Sequence, residues 1–269
     1  MARCSRNDIK GNILKRVVTR VDFQDLFEFP KDVLREIAKI CYQYGIELNM
    51  PKFLEMSDFQ FNDNSTSISY PYEYIKNLNS TLIFNSERTF IIEINQLFIK
   101  ITQVVNDSYK RYGKTLELIE KIFSILKDPD KTDVRIKRIS IKKANQVFFD
   151  SISKFETFFK NEILVFNQFH DIDWSKNKSQ STMIQNFEYK DCKVNFTKIY
   201  DNGLIEGKKY YRLYFDIETY LNEEDNLEID INNILNGLNE KIFELFEWVL
   251  TDTGVEFLKT GKRIGDIDE

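Results

Sequence analysis

Asp216 and Glu218 stand one residue apart in the run Tyr214-Phe215-Asp216-Ile217-Glu218-Thr219. Side chains alternate across a strand, so both carboxylates leave it on one face. Such a pair can hold a divalent cation such as Mg²⁺, and the chemistry that follows is metal-assisted phosphodiester hydrolysis. The same alternation arises on any antiparallel strand with one solvated face, and that reading is preferred here. Asp171 and Asp173, beside His170 and Trp174, form a second candidate cation pair, but they sit in a polar stretch that reads as a loop. His170 is the only histidine, and Cys4, Cys41 and Cys192 are far apart with no CxxC. A Cys/His zinc site is therefore not expected. No Ser, Cys or Thr lies in a nucleophile-elbow context, and no P-loop or dinucleotide fingerprint is present. No catalytic residue is assigned, and no cofactor is called for.

Six basic residues make a different candidate site. Arg16 and Arg20 lie on the first expected strand, and Arg135, Lys137, Lys142 and Lys143 lie on its counterpart in the second half. Met in one stripe beside Tyr and Phe, these cations could hold a nucleic-acid backbone. The preferred alternative is a pair of edge strands guarded by positive charge. The acidic run Glu218 to Asp230 precedes a long helix, where negative charge favours the N-terminus. Phe158 falls off the apolar stripe of its own expected helix and reads as a partner contact.

The elements that must position these residues follow from periodicity. Asn12 to Phe23 is rich in β-branched residues and reads as a strand. Pro30 opens a helix carrying Val33, Ile37, Ile40 and Cys41, and Gly45 supplies a stop. Phe59 and Phe61 indicate a short strand, and Asn62 to Ser69 a loop. Strands follow at Thr81 to Phe84, through Phe90, Ile92 and Ile94, and through Leu97, Ile99 and Ile101. A helix from Asp107 to Leu126 ends the first half. The second half restarts at Asp133, where Ile136-Lys137-Arg138-Ile139 parallels Leu14-Lys15-Arg16-Val17. A helix is expected from Gln146 through Phe148, Ile152, Phe155, Phe159 and Ile163, then a loop from Ser175 to Thr182. Strands at 184–190, 192–200 and 209–219 lead to a last helix through Ile231, Leu235, Leu238, Ile242, Leu245, Phe246 and Val249. Residues 261–269 are expected to be a mobile tail.

Glu120-Lys121-Ile122-Phe123 recurs as Glu240-Lys241-Ile242-Phe243 at corresponding places in the two strings of elements. The expected fold is α+β: two β-α-β-β-β-α pseudo-repeats, about 8–127 and 128–260, joined in one domain. Their strands would form a largely antiparallel sheet packed by long helices. That plan resembles the saddle of the TATA-binding protein or a helix-grip architecture, a likeness of fold that carries no function.

The chain has 269 residues, 42% of them hydrophobic, enough to bury a sizeable core. Its net charge of -5 gives no global attraction to nucleic acid or to an anionic membrane. Unclustered cysteines suit a reducing cytoplasm, the first residues lack the apolar core of a signal peptide, and no stretch approaches a membrane span.

The chain also resembles a sporadically distributed, uncharacterised bacterial family of about this length. The likeness rests on Asn12-Ile13-Leu14-Lys15 through Arg20-Val21-Asp22-Phe23 and on Arg138-Ile139-Ser140-Ile141-Lys142-Lys143-Ala144-Asn145. It extends to Tyr214-Phe215-Asp216-Ile217-Glu218-Thr219-Tyr220 and Leu245-Phe246-Glu247-Trp248-Val249-Leu250-Thr251-Asp252. Lys142-Lys143 replaces an Arg-Tyr pair of that pattern, and Asn239 stands where a His is common. The resemblance implies a cytoplasmic protein of a bacterial accessory system, phage defence or toxin regulation, with a protein partner encoded nearby and no known reaction. Separately, Asp216-Ile217-Glu218-Thr219 is similar to the string that opens the two-metal site of DnaQ-like exonucleases. Those enzymes need further carboxylates well downstream, where this chain has only its final helix and tail. The expected function is thus a non-catalytic interaction protein. The alternatives are nucleic-acid binding through Arg16, Arg20, Arg135, Lys137, Lys142 and Lys143, and a metal-dependent nuclease using Asp216 and Glu218.

Overall fold

The computed structural model describes residues 4–11, 13–24, 30–44, 53–54, 80–84, 89–105, 112–126, 128, 134–164, 180–205, 207–222, 230–262 and 264–265. In chain order the elements are β1 (Leu14–Phe23), α1 (Lys31–Gln43), β2 (Phe53–Leu54), β3 (Ser80–Phe84), β4 (Phe90–Ile94) and β5 (Phe98–Val104). They continue with α2 (Tyr112–Leu126), β6 (Ile136–Phe149), α3 (Ser153–Phe158), α4 (Asn161–Leu164) and β7 (Gln180–Tyr189). The last are β8 (Cys192–Ile205), β9 (Lys208–Asn222), α5 (Ile231–Val249) and α6 (Asp252–Lys259). The class is α+β. No helix among the described residues is long and apolar enough to cross a membrane.

The backbone gathers into two compact units. Met1–Val17, Ile141–Tyr220 and Asn236–Glu269 form the first; Val18–Ser140 and Leu221–Leu235 form the second. The division runs through β1, β6, β9 and α5.

In the second unit the strand order is β2-β3-β4-β5-β1, and β2, β3, β4 and β5 pair antiparallel in turn. Ile92, Ile94, Ile99 and Ile101 are buried, as are Val21 and Phe23 of β1. Alternation puts each such set on one face. Helix α1 starts at Pro30, whose φ of -57° suits a position just outside the first turn, and it buries Val33, Ile37 and Cys41. The hydroxyls of Thr19 and Tyr112 meet at 2.9 Å, fixing the start of α2 against β1. Asp230 caps α5, accepting from the Asn232 N–H at 2.9 Å, so part of the acidic run serves the helix end as expected.

In the first unit the order is β6-β9-β8-β7. β8 pairs antiparallel with β7 and with β9 in unbroken register. Tyr211, Leu213, Phe215, Ile217 and Thr219 of β9 are buried. Phe215 stacks on Phe246 of α5, and the Thr219 hydroxyl donates to the Leu238 carbonyl at 3.1 Å. Those contacts define the helix side of the strand. Helix α6 opens at Thr251, whose hydroxyl accepts from the Gly254 N–H. A Cβ at Gly254 would stand 2.3 Å from the Phe158 carbonyl oxygen, so only glycine lets α6 approach α3 this closely.

Several expectations are corrected. The helix expected from Gln146 is strand as far as Phe149, and α3 begins only at Ser153. Asn145, Gln146, Val147, Phe148 and Phe149 are all buried, so that part of β6 is covered on both faces. A strand of that kind has no alternation to distinguish it from a buried helix. Gln180, Ser181 and Thr182 belong to β7 and not to a loop. Phe158, read as a partner contact, is half-buried and packs within its own unit: it stacks on Phe149 at 5.8 Å and meets Phe257 edge-on at 5.1 Å. The tail is tied down at Ile264, which is 1% exposed. Gly45, Phe59, Phe61, Asn62 to Ser69, Asp107, His170, Asp171, Asp173 and Trp174 lie outside the described residues.

Candidate functional site

With the odd-numbered residues of β9 turned to the helices, Arg212, Tyr214, Asp216 and Glu218 project from the other face. Asp216 is nonetheless only 3% exposed. Its Oδ2 accepts from Lys142 Nζ at 2.9 Å and from the Tyr214 hydroxyl at 3.1 Å, while Oδ1 is buried without a hydrogen-bond partner. Burial, then the charge and hydrogen bond of Asp216, push the Tyr214 phenol up to about 12, against a smaller opposing pull from Arg16 and Arg212. Tyr214 is therefore a fixed donor at neutral pH. Glu218 accepts from the Asn195 amide at 2.9 Å. Arg212 makes a two-pronged contact with Asp201, its direct partner across β8 and β9. This face of the unit is a row of answered charges. The two carboxylates considered as a candidate cation pair are met by protein donors, and no group of three His, Cys, Asp or Glu side chains gathers among the described residues.

The six basic residues are divided between the two units, and within the first unit Lys142 and Lys143 do not share a face. Lys142 and Lys143 are consecutive on β6 and leave it on opposite faces. Lys142 serves Asp216, whereas Lys143 Nζ reaches the Asn239 side-chain oxygen on α5 at 2.6 Å. Enclosure, aided by the positive charge of Arg6 and opposed by Glu240, holds the Lys143 ammonium down at about 7. In the second unit Arg20 is paired with Asp22 on its own strand at 2.6 Å and lies 4.1 Å above the Phe98 ring. Arg16, Arg135 and Lys137 are exposed. Nor are the basic strands edges. β1 lies beside β5, and in the first unit Gln146 N–H of β6 donates to the Ile13 carbonyl just before β1. Their charges need no edge to guard, because alternate side chains of an interior strand reach solvent from the open face.

Neither a scan of protein-family models nor a search of curated proteins finds a match for this chain.

A second cluster in the first unit escaped sequence reasoning. The N-terminal segment lies against α5. Arg6 donates to the Asn239 carbonyl at 2.7 Å, pairs with Glu240 at 3.1 Å and stands 5.0 Å over the Phe243 ring. The Cys4 amide and thiol both donate to Glu247 Oε1 at 2.9 Å. Burial, then the hydrogen bond and charge of Glu247, push the thiol up to about 12, so little of it is thiolate near neutral pH. Lys143 and Asn239 are in direct contact. One-sequence periodicity holds no signal for that meeting, which joins residues far apart in the chain.

Among the described residues the edge strand of the first unit is β7. Tyr189 pairs with Cys192 across a two-residue turn whose first residue, Lys190, has φ 56°. The turn is pinned to α5: Lys190 binds Glu244 at 2.6 Å, the Tyr189 hydroxyl binds it at 3.1 Å, and Lys241 pairs with Asp191. A two-residue hairpin closes with a hydrogen-bonded pair, so the odd-numbered residues of β7 bond to β8. The N–H and C=O groups of Gln180, Thr182, Ile184, Asn186 and Glu188 then point to the open edge. Ile184 is 65% exposed and Phe187 40%. From Ser181 to Tyr189 there is no Pro, Gly, Lys or Arg, and Glu188 is the one charge. Proline and lysine, the residues that usually blunt an edge, are absent from this stretch.

Proposed function

We propose that the chain is a non-catalytic interaction protein of a bacterial accessory system, of the kind that serves phage defence or toxin regulation, and that it acts by strand addition at β7. The observation that carries this reading is the long, unblunted edge of β7, held in place by the Glu244 and Lys241 contacts. Edge N–H and C=O groups supply affinity to an added strand, and the side chains beside them supply selection. The test compares partner retention by the intact chain and by Ile184→Pro. Proline at an outward-pointing position deletes an edge donor while sparing the β7–β8 ladder. The expected result is a stoichiometric partner lost from Ile184→Pro. Retention of every partner by that variant refutes the edge as the docking site.

A nucleic-acid-binding role is the second reading. Exposed Arg16, with Lys142, Arg212 and Tyr214 on the open face of the first unit, favours it; Asp216 and Asp201 offset two of those cations. It calls for binding that weakens steeply with salt and is abolished by Arg16→Glu together with Arg212→Glu. Binding that ignores both salt and these reversals removes it.

We also infer that the two halves descend from one duplicated unit. In support, β1 lies beside β5 as β6 lies beside β9, and β4 and β3 follow β5 as β8 and β7 follow β9. The repeated Glu-Lys-Ile-Phe falls on α2 and α5, with Ile122 and Ile242 both buried.

A further inference from the structure

We propose that the occupant of the β7 edge is a second copy of this chain, paired antiparallel about a two-fold axis at Ile184. The inference rests on the reading of β7 as the docking edge and names its partner.

The register follows from which groups are free. Directly opposed residues of an antiparallel pair share a face, and those exchanging both bonds form the hydrogen-bonded pairs. The free groups belong to the even-numbered residues. An axis through Ile184 therefore pairs Ile184 with itself, Thr182 with Asn186 of the second copy, and Gln180 with Glu188 through their backbones. Every free edge group on the strand is then used, giving about ten inter-copy backbone hydrogen bonds.

The side chains are self-complementary in that register. Two exposed Ile184 side chains meet at the axis on the open face, where Thr197, the β8 partner of Ile184, flanks them. Thr182 faces Asn186, a hydroxyl against an amide. On the helix side Ser181 faces Phe187 and Met183 faces Gln185, so a small residue opposes a large one and a flexible one opposes a polar one.

Charge decides whether a chain of net charge -5 tolerates its own copy here. Glu188 is the only charge from Ser181 to Tyr189, and it lies four residues from the axis. The two Glu188 positions fall eight residues apart along the paired strands, roughly 27 Å. That exceeds the Debye length of about 8 Å at physiological salt, so the repulsion is screened. Lys190, which would otherwise face a copy near the strand end, is occupied by Glu244.

The test is sedimentation velocity of the full chain over a wide concentration range, with Ile184→Pro and Thr182→Lys alongside. Thr182→Lys leaves the backbone intact and places two cations beside the axis, so it serves if the proline variant folds poorly. The expected result is a dimer for the intact chain and a monomer for both variants, with unchanged far-UV circular dichroism for Thr182→Lys. Ile184→Cys adds a positional readout. Paired Cα atoms at the axis stand about 5.5 Å apart, within disulfide reach. Mild oxidation should link the two 184 positions, found by peptide mapping, whereas Ser181→Cys should not link to itself. A monomeric intact chain overturns the proposal, as does a dimer that persists in both variants. If the intact chain is monomeric but a different protein is lost on Ile184→Pro, the second copy is wrong and the docking edge stands. If neither a dimer nor any partner responds to the edge variants, both fall.

Discussion

Replacing Lys143 by Met should flatten the alkaline rise in stability of the first unit. The ammonium is enclosed, with Asn239 Oδ1 at 2.6 Å, and it is held at about 7 against an ordinary 10.5. The unfolded chain keeps that proton up to the ordinary lysine range, whereas the folded chain keeps it only to about 7. Between those values the unfolded state binds more protons, so stability increases with pH. The contribution is complete above the unfolded value, is lost as pH falls toward 7, and levels off below it. Each unit of displacement is worth about 1.4 kcal/mol. From about pH 7 to about pH 9 this one group should therefore add about 2 kcal/mol. Lys198 has a similar slope, since burial lowers it to about 8, but it is common to both proteins and cancels in the difference. At about pH 7 the variant escapes the penalty of a buried ammonium yet leaves Asn239 Oδ1 without this donor, a cost of about 1–3 kcal/mol. The difference in slope is thus a cleaner measure than the difference at one pH. Urea midpoints at several pH values, with m checked for constancy, give both. Parallel slopes for the two proteins would refute the enclosure of Lys143 as the source.

Further outcomes rest on other contacts. Lys142→Met should cost about 1–3 kcal/mol. The pair itself is screened because Lys142 is 38% exposed, so most of that cost is the buried Asp216 carboxylate left with Tyr214 alone. Adding Asp216→Asn should restore most of the loss in thermal unfolding; a double variant no better than the single one contradicts the pairing. Gly254→Ala drives a Cβ to 2.3 Å from a backbone oxygen that cannot swing aside, and it should destabilise by about 1–3 kcal/mol in calorimetry. The Cys4 thiol, raised to about 12, should alkylate far more slowly than a free cysteine near pH 8, and Glu247→Gln should speed it. Equal rates in both proteins would remove the role of Glu247.

Much of the plan was legible along the chain. β1, β4, β5, α1 and α5 announce themselves by period because each buries one face and wets the other. The end of β6 does not, since Phe148 and Phe149 are buried on opposite faces and an unbroken apolar run has no period to read. Asp216 and Glu218 were found by spacing, and their shared face follows from alternation. Their partners were not, because Lys142 and Asn195 arrive from other strands. The basic residues were found by type, but adjacency in the chain misled. Lys142 and Lys143 look like one cationic pair and point in opposite directions.

The sequence by itself determined the α+β class and the helical and strand stripes. Those are local matters of residue type and period. Only the tertiary structure decided which charges are answered, which lysine is enclosed beneath α5, and which strand is left at an edge. Each of these depends on long-range pairing. The basic strands β1 and β6 each have a neighbour on both sides, whereas β7, almost free of charge, ends the order β6-β9-β8-β7 and keeps its even-numbered backbone groups turned outward. No local pattern carries that order, because it is set by what packs beside each strand and not by the strand itself.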